Sequence, residues 1–251
     1  MHTRFVLLIV SAALTGSAVS AQDQKAPTLD ELVAKNIEAK GGADALHALQ
    51  SIRMTGKLLV QQGQIQFGYV TTKKRPGAVR TEASLQGMTS VQAFDGKEGW
   101  KISPFQGRKD PEKMSADDVK SLMEDAEIDG PLVDWKTKQS TVDYLGTEDV
   151  DGTLAYKLKV VRKNGDVNFV YLDPDHFLEI RVVTQRTEQG AQVEVETDLG
   201  DYEKINGVFV AFSMEAGRKG DPDKQKIIID KAEGNIAVDD GTFHFPATAS
   251  K

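Results

Sequence analysis

The sequence predicts an α+β domain that is mainly β: one curved antiparallel sheet of about eleven or twelve strands with a few helices on it. From Ser51 onward the hydrophobic period is two, as where Ile65, Phe67 and Tyr69 alternate with Gln64, Gln66 and Gly68. Asp95-Gly96, Asp151-Gly152, Asn164-Gly165 and Asn206-Gly207 separate such runs, and X-Gly pairs supply the positive φ angles of tight hairpins. Helical spacing is confined to residues 28–49 and 115–128. A sheet of this size curls or closes rather than staying flat.

Residues 1–21 read as an export signal. Arg4 is a short positive region, Phe5 to Leu14 is apolar, and Val19-Ser20-Ala21 has the small residues a signal peptidase recognises. The apolar run is too short to span a bilayer, which takes about 20 residues. Cleavage after Ala21 leaves residues 22–251 as a single domain, exported and soluble, with no Cys at the junction to carry a lipid.

Thr28 and Glu31 have capping-box spacing, and Leu29, Leu32, Val33 and Ile37 form an apolar stripe that ends at Lys40-Gly41-Gly42. A second short helix spans about 43–49. Strands are expected near 51–60, 64–73, 78–86, 89–95, 98–103, 142–149, 154–162, 167–172, 178–187, 192–204, 208–217 and 225–235. Residues 102–140 read as loop, helix, loop. Ser115 and Asp118 cap that helix, Met114 and Val119 have staple spacing, and Val119, Leu122, Met123 and Ala126 make its apolar face. Its acidic side chains, Asp117, Asp118, Glu124, Asp125 and Glu127, read as a solvated face or a dock for a basic partner.

Composition removes several functions. The 251 residues carry 38 acidic and 31 basic side chains, a net charge of −7, which disfavours nucleic-acid binding. Without cysteine there are no disulfides, thiolate metal sites or thiol nucleophiles. His47, His176 and His244 are scattered, with no metal-ligand spacing. No Gly-x-Ser-x-Gly elbow or phosphate-binding glycine loop occurs. The reading names no catalytic residue, no metal and no cofactor. It does find large apolar side chains gathered in the first half: Phe67, Tyr69, Met88, Phe94 and Trp100 on strands, and Val119, Leu122 and Met123 on the helix. They either pack a solid core or line a cavity for an acyl chain.

The order of several short motifs resembles a known family. Thr28-Leu29-Asp30-Glu31-Leu32-Val33, Ala39-Lys40-Gly41-Gly42 and Ile52-Arg53-Met54-Thr55-Gly56-Lys57 are similar to the N-terminus of the LolA-like lipoprotein-sorting proteins. So are Asp95 to Ile102 with Trp100, Val150-Asp151-Gly152, Tyr171-Leu172-Asp173, Asp201-Tyr202, Ile205 to Val208, and Phe243 to Pro246. The resemblance covers about 28–246. It implies an unclosed β-barrel of about eleven strands, a helical lid, and an apolar cavity for the acyl chains of lipids or lipoproteins carried through the periplasm to the outer membrane. It further implies a monomer that meets membrane-bound donor and acceptor proteins. The family's wider fold also includes a sensor of envelope stress, so a signalling or assembly module that binds a protein on the same sheet is the alternative. The family's arginine beneath the lid matches no one position here. Arg53, Arg80 and Arg181 are strand arginines that read as solvent-facing charges.

Overall fold

The computed structural model describes residues 26–188 and 191–246, so the export signal expected at 1–21 lies outside the described residues. Helix α1, Leu29–Ala39, opens with the expected capping box, the Thr28 hydroxyl accepting from the Glu31 N–H while the Glu31 carboxylate accepts from Thr28. Helix α2 is Ala43–Ala48. Between them Gly41, at φ 117°, lies so close to the Gly207 carbonyl that a Cβ would sit 2.1 Å from it.

Five strands follow: β1 Ser51–Val60, β2 Ile65–Lys74, β3 Ala78–Leu85, β4 Met88–Phe94 and β5 Gly99–Ser103. After a one-turn 3-10 helix at Pro104–Gln106 come β6, Arg108–Lys113, and helix α3, Ala116–Asp125. The remaining strands are β7 Thr141–Val150, β8 Thr153–Val161, β9 Val167–Leu172, β10 Glu179–Glu188, β11 Ala191–Ile205, β12 Val208–Arg218 and β13 Gln225–Gly234. All thirteen described strands form one sheet in the order β6-β5-β4-β3-β2-β1-β13-β12-β11-β10-β9-β8-β7, every described pairing antiparallel. It does not close: β6 and β7 are its edges.

Strand β6 corrects the sequence reading, which left 102–140 without a strand. Arg-Lys-Asp-Pro-Glu-Lys has no apolar alternation, and its proline argues against a central strand. At an edge both features are tolerated, because one side of the strand has no ladder to complete, and charge blocks pairing with another chain.

The helices share one face of the sheet. Leu32 and Val33 of α1 pack with Val142, Leu158, Val160, Val170 and Leu172 on β7–β9. Leu46 of α2 and Leu49 pack with Ile52, Met54, Val208, Phe212 and Ile229 on β1, β12 and β13. Leu122 and Ala126, in and just after α3, pack with Val79 and Phe94 on β3 and β4. Val119 comes so near β5 that a Cβ on Gly99 would meet its Cγ2 at 2.6 Å, so the strand must carry a glycine there.

Helix α3 also shows how far the sheet curls. Leu122 touches β3, while the Glu124 carboxylate accepts from Asn168 Nδ2 on β9 at 2.6 Å and from the Thr184 hydroxyl on β10 at 3.0 Å. Seven strand spacings separate β3 from β9 along the sheet, roughly 33 Å if it were flat. Two side chains two residues apart can reach both only because the sheet wraps around α3.

Candidate functional site: a hollow beneath helix α3

The sheet curls around α3, and the side chains it turns toward the hollow of that curl follow from the register. Lys73 pairs with Ile52 and Val79, Thr71 with Met54 and Thr81, Tyr69 with Gly56 and Ala83, and Phe67 with Leu58. Cross-strand partners share a face, so these residues lie on the side that Ile52, Met54 and Val79 present to the helices. Gln92, Ser90 and Met88 continue that face on β4.

The wall is graded. At the end covered by α2 and α3, Ile52, Met54, Val79 and Phe94 are buried. At the opposite end the apolar side chains stay accessible. Phe105 is 40% exposed and meets Phe67 edge-on, with ring centroids 5.3 Å apart, and Met88 is 38% exposed. Between the two lies a polar band. The Thr71 and Thr81 hydroxyls are 3.1 Å apart, and the Tyr69 hydroxyl lies beside them. Burial, helped by the negative Asp125, pushes the Tyr69 phenol up to about 12, so it stays a neutral donor. Lys73 is half-buried and Asp125 exposed, so both have surface open on this side of the sheet. Desolvation raises the Asp125 carboxyl above its ordinary range, with Lys73 opposing and Glu124 assisting. Burial likewise lowers the Lys73 ammonium, against the pull of Asp125 and Glu127.

Along the acidic face of α3, Asp117 and Asp118 are exposed as a solvated face would be, whereas Glu124 and Glu127 are paired. Arg162 donates from Nη1 to Glu127 at 2.8 Å while its Nη2 lies 3.7 Å from Glu124, Arg186 is 3.8 Å from Glu124, and Lys138 is 3.6 Å from Glu127. Glu124 and Glu127 thus have basic partners within this chain, on and beside β8 to β10. A cleft of about 390 Å³ borders this contact, lined by Met123, Lys120, Lys138, Arg162 and Lys163 among others.

A second polar knot ties the helical layer down. Lys40, which ends α1, donates from Nζ to the Glu179 carboxylate and the Asp129 carbonyl, both at 2.9 Å. Arg75 donates to the Leu46 and Leu49 carbonyls at 2.9 Å and pairs with the Asp129 carboxylate through both terminal nitrogens. Thus Arg75, not a strand arginine of the outer face, lies under the helices. The signal available in sequence was its place just beyond β2, before Pro76-Gly77.

Of the eight residues proposed from sequence, the structure brings Phe67, Tyr69, Met88 and Phe94 to the helical side of the sheet, with Val119 and Leu122 on the facing side of α3. Leu122, at 2% exposure, is a core contact of α3 rather than open wall. Met123 is 49% exposed and lines the neighbouring cleft. Trp100 is placed differently from the expectation. It pairs with Ala93, which pairs with Arg80, all on the outer face, and Gly99 takes the inward position. There Trp100 is 2% exposed, donates from Nε1 to the Phe243 carbonyl at 2.7 Å, and packs against Phe245. The C-terminal segment covers that face, so a large aromatic is buried without pointing at the helices. Arg53 and Arg80 share this outer face, where Arg80 lies 5.4 Å over the Trp100 ring.

Solved structures share this architecture. A DUF1329 family protein from Desulfovibrio piger superposes with a TM-score of 0.57 at 14% identity, over 86% of this chain and 96% of that one. A domain designated outer membrane lipoprotein-sorting from Vibrio parahaemolyticus gives 0.56 at 11% identity, over 85% and 94%. A LolA superfamily protein from Nitrosomonas europaea gives 0.56 at 11% identity, over 87% and 98%. The fold is LolA-like. No family model matches the sequence, and no curated protein does. Within this LolA-like fold, no cluster of three or more His, Asp or Glu among the described residues is arranged to hold a metal. No described helix is long and apolar enough to cross a membrane.

Proposed function

We propose that this protein is a non-catalytic carrier that holds acyl chains of a lipid or lipoprotein in the hollow beneath α3. The observation that supports the reading is the accessible apolar end of the wall, where Met88 and Phe105 are exposed and Phe67 is half-buried against Phe105. Each buried methylene of a chain entering it gains about 0.8 kcal/mol. The LolA-like fold and the lipoprotein-sorting designation of one structural neighbour support the same reading. So does the export signal read at 1–21, which would place the carrier in the periplasm, moving cargo toward the outer membrane between membrane-bound donor and acceptor proteins.

Helix α3 serves as the lid in this scheme. It is seated by apolar contacts on β3 and β4 and by ion pairs on β8 to β10, so loading needs only one of these contacts to open. Titration with a fluorescent fatty acid tests the reading. Saturable binding is expected, and it should be lost in Met88→Asp, which sets a charge against the chain. Absence of saturable binding by the folded wild-type protein would contradict it.

A further inference from the structure

The polar band in the hollow has more donors than an acyl chain can use. Lys73 and Asp125 feel each other's charge, yet among the described residues neither side chain has an ion pair within 4 Å or a hydrogen bond. The other cations nearby are engaged: Lys40 by Glu179, Arg75 by Asp129, Arg162 by Glu124 and Glu127, and Arg186 and Lys138 by carboxylates of the α3 region. Lys73 is thus the cation of the hollow left for a guest, and the Tyr69, Thr71 and Thr81 hydroxyls stand beside it on the same face. All four groups donate hydrogen bonds.

The spacing along β2 fits an amphiphile. From Lys73 to Phe67 is six residues, about 20 Å at the rise of a strand. That is the length of an extended long acyl chain, and it ends at the accessible apolar side chains of Phe67, Met88 and Phe105.

We infer that the hollow takes its guest acid-first: Lys73 and the hydroxyls of Tyr69, Thr71 and Thr81 hold one carboxylate or phosphate under the helices, and the acyl chain runs outward along β2. This rests on the carrier reading of the same hollow. Asp125, the carboxylate whose charge acts on Lys73, yields its place to the guest; its desolvation favours the protonated form, which does not repel an anion.

Calorimetric titration of the full-length mature protein with four pure amphiphiles tests this. Palmitate should bind at least about tenfold tighter than methyl palmitate, or lysophosphatidate at least about tenfold tighter than the matching monoacylglycerol, as a charge-assisted contact in a hollow provides. Which acid gains tells carboxylate from phosphate. Lys73→Met should erase the preference and leave the neutral amphiphile's affinity unchanged. Equal binding of acid and neutral forms by the wild type overturns the inference and leaves the carrier reading standing, as does a preference that survives in folded Lys73→Met. Binding of none of the four overturns both.

Discussion

Leu122→Ala tests how α3 is seated. The side chain is 2% exposed and packs with Val79, Phe94 and Ala126. The substitution deletes three carbons, and at ~0.8 kcal/mol each the lost transfer energy is about 2.4 kcal/mol. Val79 and Phe94 sit on hydrogen-bonded central strands and cannot collapse fully into the gap, so the cavity left behind brings the loss to about 3–4 kcal/mol. The ion pairs of Glu124 and Glu127 with Arg162 lie on the other wall and survive. Native-state hydrogen exchange reads this directly: the opening free energy of the α3 amides should fall by about 3 kcal/mol, while amides of β8 and β9 change little. A fall below about 1 kcal/mol would show that the apolar face of α3 is not what holds it. Leu122→Asp would place a carboxylate in the same contact and should release the helix, costing stability as well as ligand.

Met88→Asp, at a 38% exposed wall position, should abolish fatty-acid binding while shifting the denaturant midpoint by less than about 1 kcal/mol; unfolding of this variant would mean that Met88 is core. Glu124→Gln removes the charge that faces Arg162 and Arg186 and should cost about 1–3 kcal/mol, read in the same α3 amides; no change there would remove the ionic half of the seat. On the outer face, burial raises the Asp198 carboxyl, but hydrogen bonds from Arg181 and Lys224 outweigh it and hold the group below its ordinary range. A depressed carboxylate contributes stability above its unfolded value and loses it as pH falls through the folded one, so Asp198→Asn should destabilise at neutral pH and become neutral in acid; a pH-independent difference in urea midpoints would count against the pairing. The exported protein should begin at Gln22, which intact mass checks; a product that retains Met1 would refute the export signal.

Much of the sheet was readable because its signals are local. Asp151-Gly152 and Asn206-Gly207 mark hairpins at positive φ, and the strands on either side fall within a residue or two of their expected ends. Likewise α3 was announced by Ser115, whose hydroxyl accepts from the Asp118 N–H. What escaped depends on distant partners. Alternation says that Gly99 and Trp100 face opposite ways, but not which way is inward. The C-terminal Phe243 and Phe245 decide that by burying Trp100 on the outer face, while Val119 needs the space at Gly99. Nothing local separates Lys73 from Lys74, yet Lys73 turns to the helical side of the sheet and Lys74 outward to the Val238 carbonyl and Asp240. Glu124 of α3 gains its meaning only from Arg162 and Arg186, which the curl of the sheet brings to it.

The central claim is that the hollow beneath α3 carries acyl chains, and the most direct test is what the protein holds in its own compartment. The mature protein should be isolated from the native periplasm without detergent, weighed intact under non-denaturing conditions, and extracted for lipid mass spectrometry. The account predicts a mass above that of the chain alone, matched in the extract by an acyl-bearing species, and loss of both in Met88→Asp. A protein that carries no lipid from its own cells and takes up none when offered would contradict it.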